Sequence, residues 1–446
     1  MTGARRLGIT ALAAIASIIL LAAAPAPETT SAVPFVADDY GKALNLAREK
    51  KLPLFVEAWA PWCHTCRSMQ AFVFTDPSLA PRAGQFVWLS IDTEKKGNAP
   101  FLTKYPVEVW PTLFVVDPGK EEAVVRWVGG ATVPQLEKLL DDGRRAMRGN
   151  EKGVDATLAR ADRLYGEKKN AEAAAAYKEA LAAAPPKWTS GARATESLLF
   201  ALHKSGDEAG CAATARDVFP KLADTPSAAN VAGSGLDCAL RLDRGHASRP
   251  ELVAALAADG RRVVARPRPD LAADDVSSLY GSLADEREDA GDEPGERQVL
   301  TDWAAFLEAQ ASAAKTPAAR AVFDSHRLSV YLALGEPKRA LPMLKASEKD
   351  FPDDYNPPAR LTLAYEAMKD YEMALASSDK ALSKAYGPRL VGILTIRARV
   401  YQEKGDLASA RVAIQEAIRE AEALPPGQRS DSQIAALRKN LEAVPQ

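Results

Sequence analysis

The chain has 446 residues and nearly balanced charge, with 57 Lys and Arg residues against 59 Asp and Glu residues. That balance gives no global electrostatic field for nucleic acid or for a strongly charged partner, so we expect no nucleic-acid binding. The length predicts two to four domains. Four cysteines are too few for a disulfide-dense secreted scaffold.

The N-terminal residues predict the compartment. Arg5 and Arg6 precede an apolar run over residues 7–24, and the residues that follow are small or proline. This order is typical of a secretory signal, and the run also reaches the lower limit for a transmembrane helix. We therefore expect export to a bacterial periplasm or envelope, with residues 1–32 forming a signal peptide or a membrane anchor with a linker. In both cases this segment engages the membrane at least transiently.

From residue 33 to 150, short apolar runs alternate with amphipathic segments. Strands are expected at residues 53–59, 86–92, 112–116 and 124–128. Helices are expected at residues 38–50, 67–74 and 133–147, with a short helical turn at Asp76-Pro77 and a polar connection over residues 95–108. Strands that alternate with helices and end in a hairpin predict an α/β domain.

The stretch Trp59-Ala-Pro-Trp-Cys-His-Thr-Cys66 holds two cysteines that are two residues apart. A predicted strand precedes it and a predicted helix follows it, so Cys63 is expected at a helix N-terminus. Unpaired N–H groups and the helix dipole favour a thiolate there. Cys66 lies one turn further on, close enough to form a disulfide with Cys63. The pair is therefore suited to attack a disulfide and to resolve the mixed disulfide internally.

Two other interpretations of the pair are metal binding and an inert disulfide. A zinc site takes four ligands, and the sequence holds no second Cys-x-x-Cys and no histidine cluster. Copper delivery would need further soft ligands near the pair, and His64 is the only nearby candidate ligand. We expect no metal and no other cofactor.

The motif and the residues that follow it resemble the thioredoxin superfamily. Glu57 stands where the family carries a buried acid, and Val109-Trp-Pro-Thr112 is similar to the family's cis-proline loop. The segment 74–79 resembles the thioredoxin-like domains of membrane thiol–disulfide reductases of the bacterial envelope. The resemblance covers about residues 35–147. It implies a thioredoxin-like fold with Cys63 as nucleophile and Cys66 as resolving thiol.

The resemblance also implies roles for Glu57 and Pro111. A buried Glu57 would have a raised pKa and could take the proton from Cys66 during resolution. The alternative is a carboxylate that reaches water at the strand end. A cis peptide before Pro111 would bring this loop beside Cys63 and leave backbone groups free for a substrate.

Trp62, His64 and Trp110 are expected to line the substrate groove. Trp110 could narrow or cap that groove, and Trp62 could equally be a packing residue at its rim. A cationic His64 would stabilise the Cys63 thiolate and make the pair more oxidising. A neutral, exposed imidazole would have little effect. Both interpretations of His64 remain open.

Beyond residue 150 the composition shifts towards alanine and predicts an all-helical domain over residues 151–446. Tyrosines recur at spacings of 34 and 36, and each has an alanine nine residues later. The pairs are Tyr331 with Ala340, Tyr365 with Ala374, and Tyr401 with Ala410. This pattern resembles the tetratricopeptide repeat, a helix–turn–helix unit. Regular repeats are expected over residues 154–187 and 321–427, and degenerate helix pairs over 190–320.

Cys211 and Cys238 fall in this helical region. In an oxidising compartment they could form a structural disulfide between neighbouring helices. The alternative is two buried free thiols.

These features predict an exported thiol–disulfide oxidoreductase that acts on protein disulfides, with the resemblance favouring a reductant or isomerase role. The repeats would recruit a protein client or a membrane electron donor, since such repeats bind peptides on a concave face. The alternative is a repeat-based interaction scaffold in which the redox pair is secondary.

Overall fold

The computed structural model describes residues 31–148 and 152–445. The apolar run predicted as a signal peptide or anchor, residues 7–24, lies outside these ranges. Within them, no helix combines the length and apolar character needed to cross a membrane.

The N-terminal domain is built on a five-stranded mixed sheet with the order β1-β3-β2-β4-β5. β3 pairs in parallel with β1 and β2, whereas β4 pairs antiparallel with β2 and β5. Because β2 is central, most of its side chains are fully buried. The strands are β1 (Phe35–Ala37), β2 (Leu54–Trp59), β3 (Val87–Asp92), β4 (Thr112–Asp117) and β5 (Glu122–Val128).

Helices cover both faces of this sheet, as the α/β prediction requires. The α-helices are α1 (Tyr40–Lys50), α2 (His64–Ser68), α3 (Ala99–Lys104) and α4 (Val133–Ala146). A π-helical turn (Met69–Val73) continues α2, and 3₁₀ turns cover Pro77–Gln85 and Lys96–Asn98. The Asp39 side chain caps α1: it accepts a hydrogen bond from the Lys42 N–H at 2.8 Å, which satisfies one of the free backbone N–H groups at the start of the helix.

Three details differ from the predicted elements. Strand β1 was not predicted, because three residues give too short a pattern. The segment 95–108 is not only a polar connection: α3 forms within it and buries Phe101 and Leu102. The last residue of the predicted linker also contacts the domain, since the Ala32 N–H donates to the Phe74 carbonyl, and Val33, which follows it, is buried.

The rest of the chain is helical, which confirms the predicted fold class. α4 ends at Ala146 and the next helix begins at Val154, on either side of the predicted boundary. The helices are α5 (Val154–Gly166), α6 (Asn170–Ala182), α7 (Gly191–Lys204), α8 (Glu208–Leu222), α9 (Ala228–Arg241), α10 (Arg249–Ala265), α11 (Ala273–Asp289), α12 (Glu293–Ala313), α13 (Pro317–Ala321), α14 (Asp324–Ala333), α15 (Ala340–Asp350), α16 (Asn356–Ala367), α17 (Tyr371–Leu382), α18 (Pro388–Lys404), α19 (Leu407–Ala423) and α20 (Asp431–Ala443).

One turn geometry recurs between paired helices and defines the repeat. A residue with positive φ ends the first helix, and the N–H of the residue after it bonds to a carbonyl five residues back, as in a Schellman motif. The accepting carbonyls belong to Leu164, Leu202, Arg287, Tyr331, Tyr365 and Tyr401. The Leu202 and Arg287 turns lie in the region predicted as degenerate helix pairs, so they identify repeats there as well.

The first helix of each pair faces the N-terminal domain. Contacts to that domain are made by α5, α7, α11, α14 and α16, among others, by the residues just before α9 and α18, and by the loop between α19 and α20. The face formed by these first helices is therefore occupied by the chain's own thioredoxin-like domain.

Candidate active site

Strand pairing positions the cysteine motif. β2 and β3 run parallel, so their carboxyl ends lie at one edge of the sheet, where Trp59 is opposite Asp92. The loop after β3 supports the motif because Thr93 donates to the Trp59 carbonyl from its N–H and from its hydroxyl, each at 2.9 Å.

Cys63 and Cys66 form a disulfide, with Cα atoms 5.3 Å apart. Cys63 is the N-cap residue of α2, and its Sγ accepts the Cys66 N–H at 3.0 Å. This N–H would stabilise a thiolate on Cys63 after reduction. Cys63 is only 4% exposed and Cys66 is fully buried.

Trp62 and Trp110 lie together beside the cysteine pair, with ring centroids 5.2 Å apart in an edge-to-face arrangement. The Trp110–Pro111 peptide bond is cis. The Trp110 indole N–H donates to Thr93 Oγ1 at 2.8 Å. Two of the three predicted groove residues are therefore held at the pair by the loop after β3.

Glu57 is buried in β2. Burial raises its pKa to about 8, although Gln70 and Ser90 donate to its Oε2 and partly oppose that rise. A cavity of about 400 Å³, lined in part by Glu57, Gln70 and Ser90, reaches this carboxyl group. A carboxyl group that is protonated at neutral pH and borders a cavity can give and take a proton during exchange.

His64, predicted to line the groove, lies instead against the helical domain. Its ring centroid is 3.9 Å from that of His326 on α14, and its Nδ1 is 3.9 Å from Asp274 Oδ2 on α11. Burial lowers the pKa of His64, the Asp274 carboxylate partly opposes this, and Arg360 adds to it. The pKa of His64 is lowered overall, which favours a neutral imidazole at neutral pH. His64 therefore does not place a positive charge beside Cys63.

His326 is also held as a neutral imidazole. Ser277 Oγ accepts from the Trp303 indole N–H at 2.7 Å, which leaves the serine proton free for His326 Nδ1 at 2.6 Å. Burial holds the pKa of His326 well below its usual range. From the sequence, this histidine gave no sign of belonging to a site.

The helical domain contacts the motif itself on its other side. Asn356 Nδ2 donates to the Pro61 carbonyl at 3.1 Å, and Arg67 forms an ion pair with Asp354. These residues were missed because nearly three hundred positions separate the partners and no local pattern marks them.

Glu94 links Trp62 to the helical domain. The Trp62 indole N–H donates to its Oε1 at 2.9 Å, and the Tyr355 hydroxyl donates to its Oε2 at 2.6 Å. Burial raises the pKa of Glu94 to about 7, while these two hydrogen bonds oppose that rise. Glu94 follows β3 in a stretch without any motif, so it was not predicted to belong to the site.

Cys211 and Cys238 form a second disulfide, which joins α8 to α9. Cys238 also belongs to a group of three potential metal ligands, with His203 and Glu208. Its sulfur is engaged in the disulfide, so that group offers only two free ligands, and the described residues give no support for a metal centre here.

Comparison with known proteins agrees with the geometry of the N-terminal domain. Residues 36–118 match the family model described as thioredoxin-like. The M-type thioredoxin of Chlamydomonas reinhardtii chloroplasts is 31% identical over 108 residues, which cover 24% of this chain and 73% of that protein. The chain therefore belongs to the thioredoxin family through its N-terminal domain.

Other similar proteins share less of their length. Thioredoxin M4 of Arabidopsis thaliana chloroplasts is 30% identical over 27% of this chain, which spans 59% of that protein. The thiol:disulfide interchange protein DsbD of Vibrio vulnificus is 31% identical over 15% of this chain, which spans 12% of that protein.

A tetratricopeptide repeat protein from Parabacteroides merdae aligns with 65% of this chain and 98% of its own, at 10% identity and a TM-score of 0.40. The repeat architecture rests on the recurring turns and helix pairs of the present structure.

Proposed function

We propose that the protein is a thiol–disulfide oxidoreductase whose reactive group is the Cys63–Cys66 pair. The observation that carries this proposal is the N–H of Cys66, directed at Cys63 Sγ from 3.0 Å at the N-terminus of α2. That donor stabilises the charged form of Cys63, which is both nucleophile and leaving group in disulfide exchange.

In the reducing direction, the Cys63 thiolate attacks one sulfur of a client disulfide. A bond forms between Cys63 and that sulfur, and the other client sulfur leaves as a thiolate. Cys66, after losing its proton to Glu57 in its ionised form, attacks Cys63 Sγ and releases the second client sulfur. The client gains two electrons and two protons, and Cys63 and Cys66 end as a disulfide.

The surroundings of His64 favour a reductant over an oxidant. A cation beside Cys63 would stabilise the reduced pair and make it a strong oxidant. Burial disfavours the cationic form of His64. We therefore propose that the pair passes electrons to clients and is itself re-reduced by a membrane electron donor.

Replacing the resolving thiol tests this function. In Cys66→Ser, mixed disulfides should accumulate on Cys63. They should be recovered from cell envelopes as covalent complexes that separate when a reducing thiol is added. The matched control is Cys63→Ser, which keeps Cys66 and should trap far less. Absence of any Cys63-linked complex in the first variant would contradict the proposal.

We further propose that the protein is exported and acts in the periplasm or envelope. The order of basic and apolar residues in residues 5–24 supports this. The Cys211–Cys238 disulfide also supports it, since structural disulfides persist in oxidising compartments. Cell fractionation is the test, and recovery with the cytoplasmic fraction would count against export.

A second candidate function is a repeat-based interaction protein in which the redox pair is secondary. The low exposure of Cys63, only 4%, favours it, because little of that residue is open to a client. The Cys63→Ser, Cys66→Ser double variant separates the two in a strain that lacks the gene. Full complementation would favour the scaffold, and loss of function would favour the oxidoreductase.

A further inference from the structure

The enclosed active site poses a problem for disulfide exchange. Cys63 is 4% exposed, and the helical domain contacts the motif from two sides, through His326 near His64 and through Asn356 at the Pro61 carbonyl. A protein disulfide needs access to Cys63 Sγ in line with its own S–S bond. A protein client that approaches from either of these two sides therefore meets the helical domain before it reaches Cys63.

The two ends of the interface between the domains differ in character. At one end, Val128 of β5 belongs to the same hydrophobic core as α5, α6 and α7, and Val109 packs against that core. Arg193 on α7 is buried there, where it pairs with Asp162 at 2.8 Å and donates to the Arg126 carbonyl at 2.9 Å. Separating the two domains at this end would expose a hydrophobic core that they share. We therefore expect the domains to remain in contact here.

At the other end, around the motif, the apolar contacts are few: Ala71 packs against the helical core, and the Phe72 and Phe323 ring centroids are 6.3 Å apart. Most of the polar groups that meet here do so through side-chain hydrogen bonds and one ion pair. They are Ser68 to Asp274, Arg67 to Asp354, Asn356 to the Pro61 carbonyl, Tyr355 to Glu94, Tyr386 to Asp92, and Gln428 to the Thr93 and Lys95 carbonyls. Water can replace such partners, so their net contribution is small compared with a hydrophobic core.

Two clefts also separate the domains at this end. One of about 370 Å³ lies between Phe72 and Val133 of the thioredoxin-like domain and Leu271 and Phe323 of the helical domain. Another of about 400 Å³ lies beside Pro61. Interfaces that are polar and loosely packed permit domain motion, whereas large hydrophobic ones resist it.

We propose that the helical repeats form a gate over the redox site. The domains turn about the shared core at α5–α7, and the polar end opens to admit a protein disulfide to Cys63. This inference rests on the proposed oxidoreductase function and adds its regulation: the closed form reacts with small thiols, and the open form reacts with protein clients.

Gly387 offers a way to hold the gate open. It is the N-cap residue of α18, with φ +58°, and a Cβ on it would lie 2.0 Å from the Glu94 carbonyl oxygen across the interface. Gly153 is a matched control because it caps α5 with nearly the same backbone angles, and a Cβ there meets nothing within 4 Å. Gly387→Ala and Gly153→Ala thus share the backbone strain, but only the first pushes the domains apart.

A crosslink can hold the gate closed in the full-length protein. Thr103 and Pro426 are exposed and touch across the interface, with the Thr103 hydroxyl 3.3 Å from the Pro426 carbonyl. Cysteines at both positions can be joined by a short bis-maleimide while the four native cysteines are held in disulfides. The control joins Arg216→Cys to Glu251→Cys, an exposed pair on two helices of the repeat domain.

The experiment measures insulin reduction by each protein with dithiothreitol as electron source, and reduction of the Cys63–Cys66 pair by dithiothreitol alone. We expect Gly387→Ala to reduce insulin severalfold faster than Gly153→Ala, up to about tenfold if the open form is rare. We expect the Thr103–Pro426 crosslink to abolish insulin reduction and the control crosslink to preserve it.

Equal insulin rates for the two alanine variants, or a fully active Thr103–Pro426 crosslinked protein, would overturn the gate. If Gly387→Ala does not fold by circular dichroism, the crosslinked pair decides the question alone. The reaction with dithiothreitol keeps the two proposals separate. A pair that dithiothreitol cannot reduce in any form of the protein contradicts the oxidoreductase function, whereas a reducible pair with ungated insulin rates contradicts the gate only.

Discussion

At the scale of single residues, the site combines groups that the sequence marks with groups that it does not. Cys63, Cys66 and Trp62 belong to one contiguous motif, and the chemistry of such a motif is local. His326, Asp354 and Asn356 reach the same site from helices far along the chain. Nothing in their immediate sequence predicts this, because a repeat helix uses polar residues on its surface as readily as at an interface.

Glu57 leads to a prediction about stability and pH. Its carboxyl group has a pKa near 4.5 in an unfolded chain and about 8 in the folded one. Between these values the folded chain holds a proton that the unfolded chain has lost, so the free energy of unfolding falls as pH rises. One such group contributes a slope of about 1.4 kcal/mol per pH unit.

Glu57→Gln should therefore flatten the pH dependence of stability between about pH 5 and pH 7, as measured by urea unfolding. Other buried groups also contribute to the slope, Glu94 and Glu196 with the same sign and the two buried histidines with the opposite sign. The quantity to compare is therefore the difference in slope between the unmodified protein and Glu57→Gln. Exposed Glu49→Gln is the control for losing one carboxylate. An unchanged slope in Glu57→Gln would show that Glu57 is not buried in its protonated form.

At the scale of elements, the strands and helices with clear periodicity were predictable. The helix over residues 38–50 and the strand over 86–92 closely match α1 and β3. Strand β1 and helix α3 were missed because each is very short, and their formation depends on pairing or packing with distant parts of the domain. The turns ending at Gly206 and Gly291 were missed because their repeats lack the marker tyrosine, although the backbone geometry is the same.

The alanine of the repeat pattern should be sensitive to size. Ala410 on α19 is fully buried, whereas Val412 on the same helix is 59% exposed. Ala410→Leu places three extra carbons between paired helices, and we expect it to lower the free energy of unfolding by about 1–3 kcal/mol. Val412→Leu, the control, should change it by about 0.5 kcal/mol or less. Equal effects in urea unfolding would mean that the helices are not closely packed at Ala410.

At the scale of the whole molecule, the arrangement of the domains was beyond sequence reasoning. The composition predicted an α/β domain followed by helical repeats, and both are present. The expectation that the repeats offer a free face to a client was made from the repeats alone. The structure instead packs the first helices of the repeats against the chain's own redox site, through contacts such as Ser68 to Asp274 and Tyr355 to Glu94. The partners in such polar pairs lie far apart in the sequence, and they can be identified only once the two folded surfaces are known.

This arrangement of the domains links the redox chemistry of the cysteine pair to the access of clients to that pair. The thioredoxin-like domain supplies the cysteines, the buried acid and the cis-proline loop. The helical domain supplies neutral His326 next to His64 and polar contacts to Pro61 and Arg67 on either side of the cysteine pair. The redox properties of the pair and its exposure to clients would then depend on one interface.

The reduction potential of the Cys63–Cys66 pair tests the central claim most directly. The full-length protein would be equilibrated against glutathione and dithiothreitol buffers, and its thiols counted by alkylation and gel shift. Because His64 is held neutral, we predict one reversible two-electron couple near the reducing end of the family, about −270 mV. A couple near −120 mV, the oxidising end of the range, would contradict the proposed reductant role, and the absence of any reversible couple would contradict the oxidoreductase function itself.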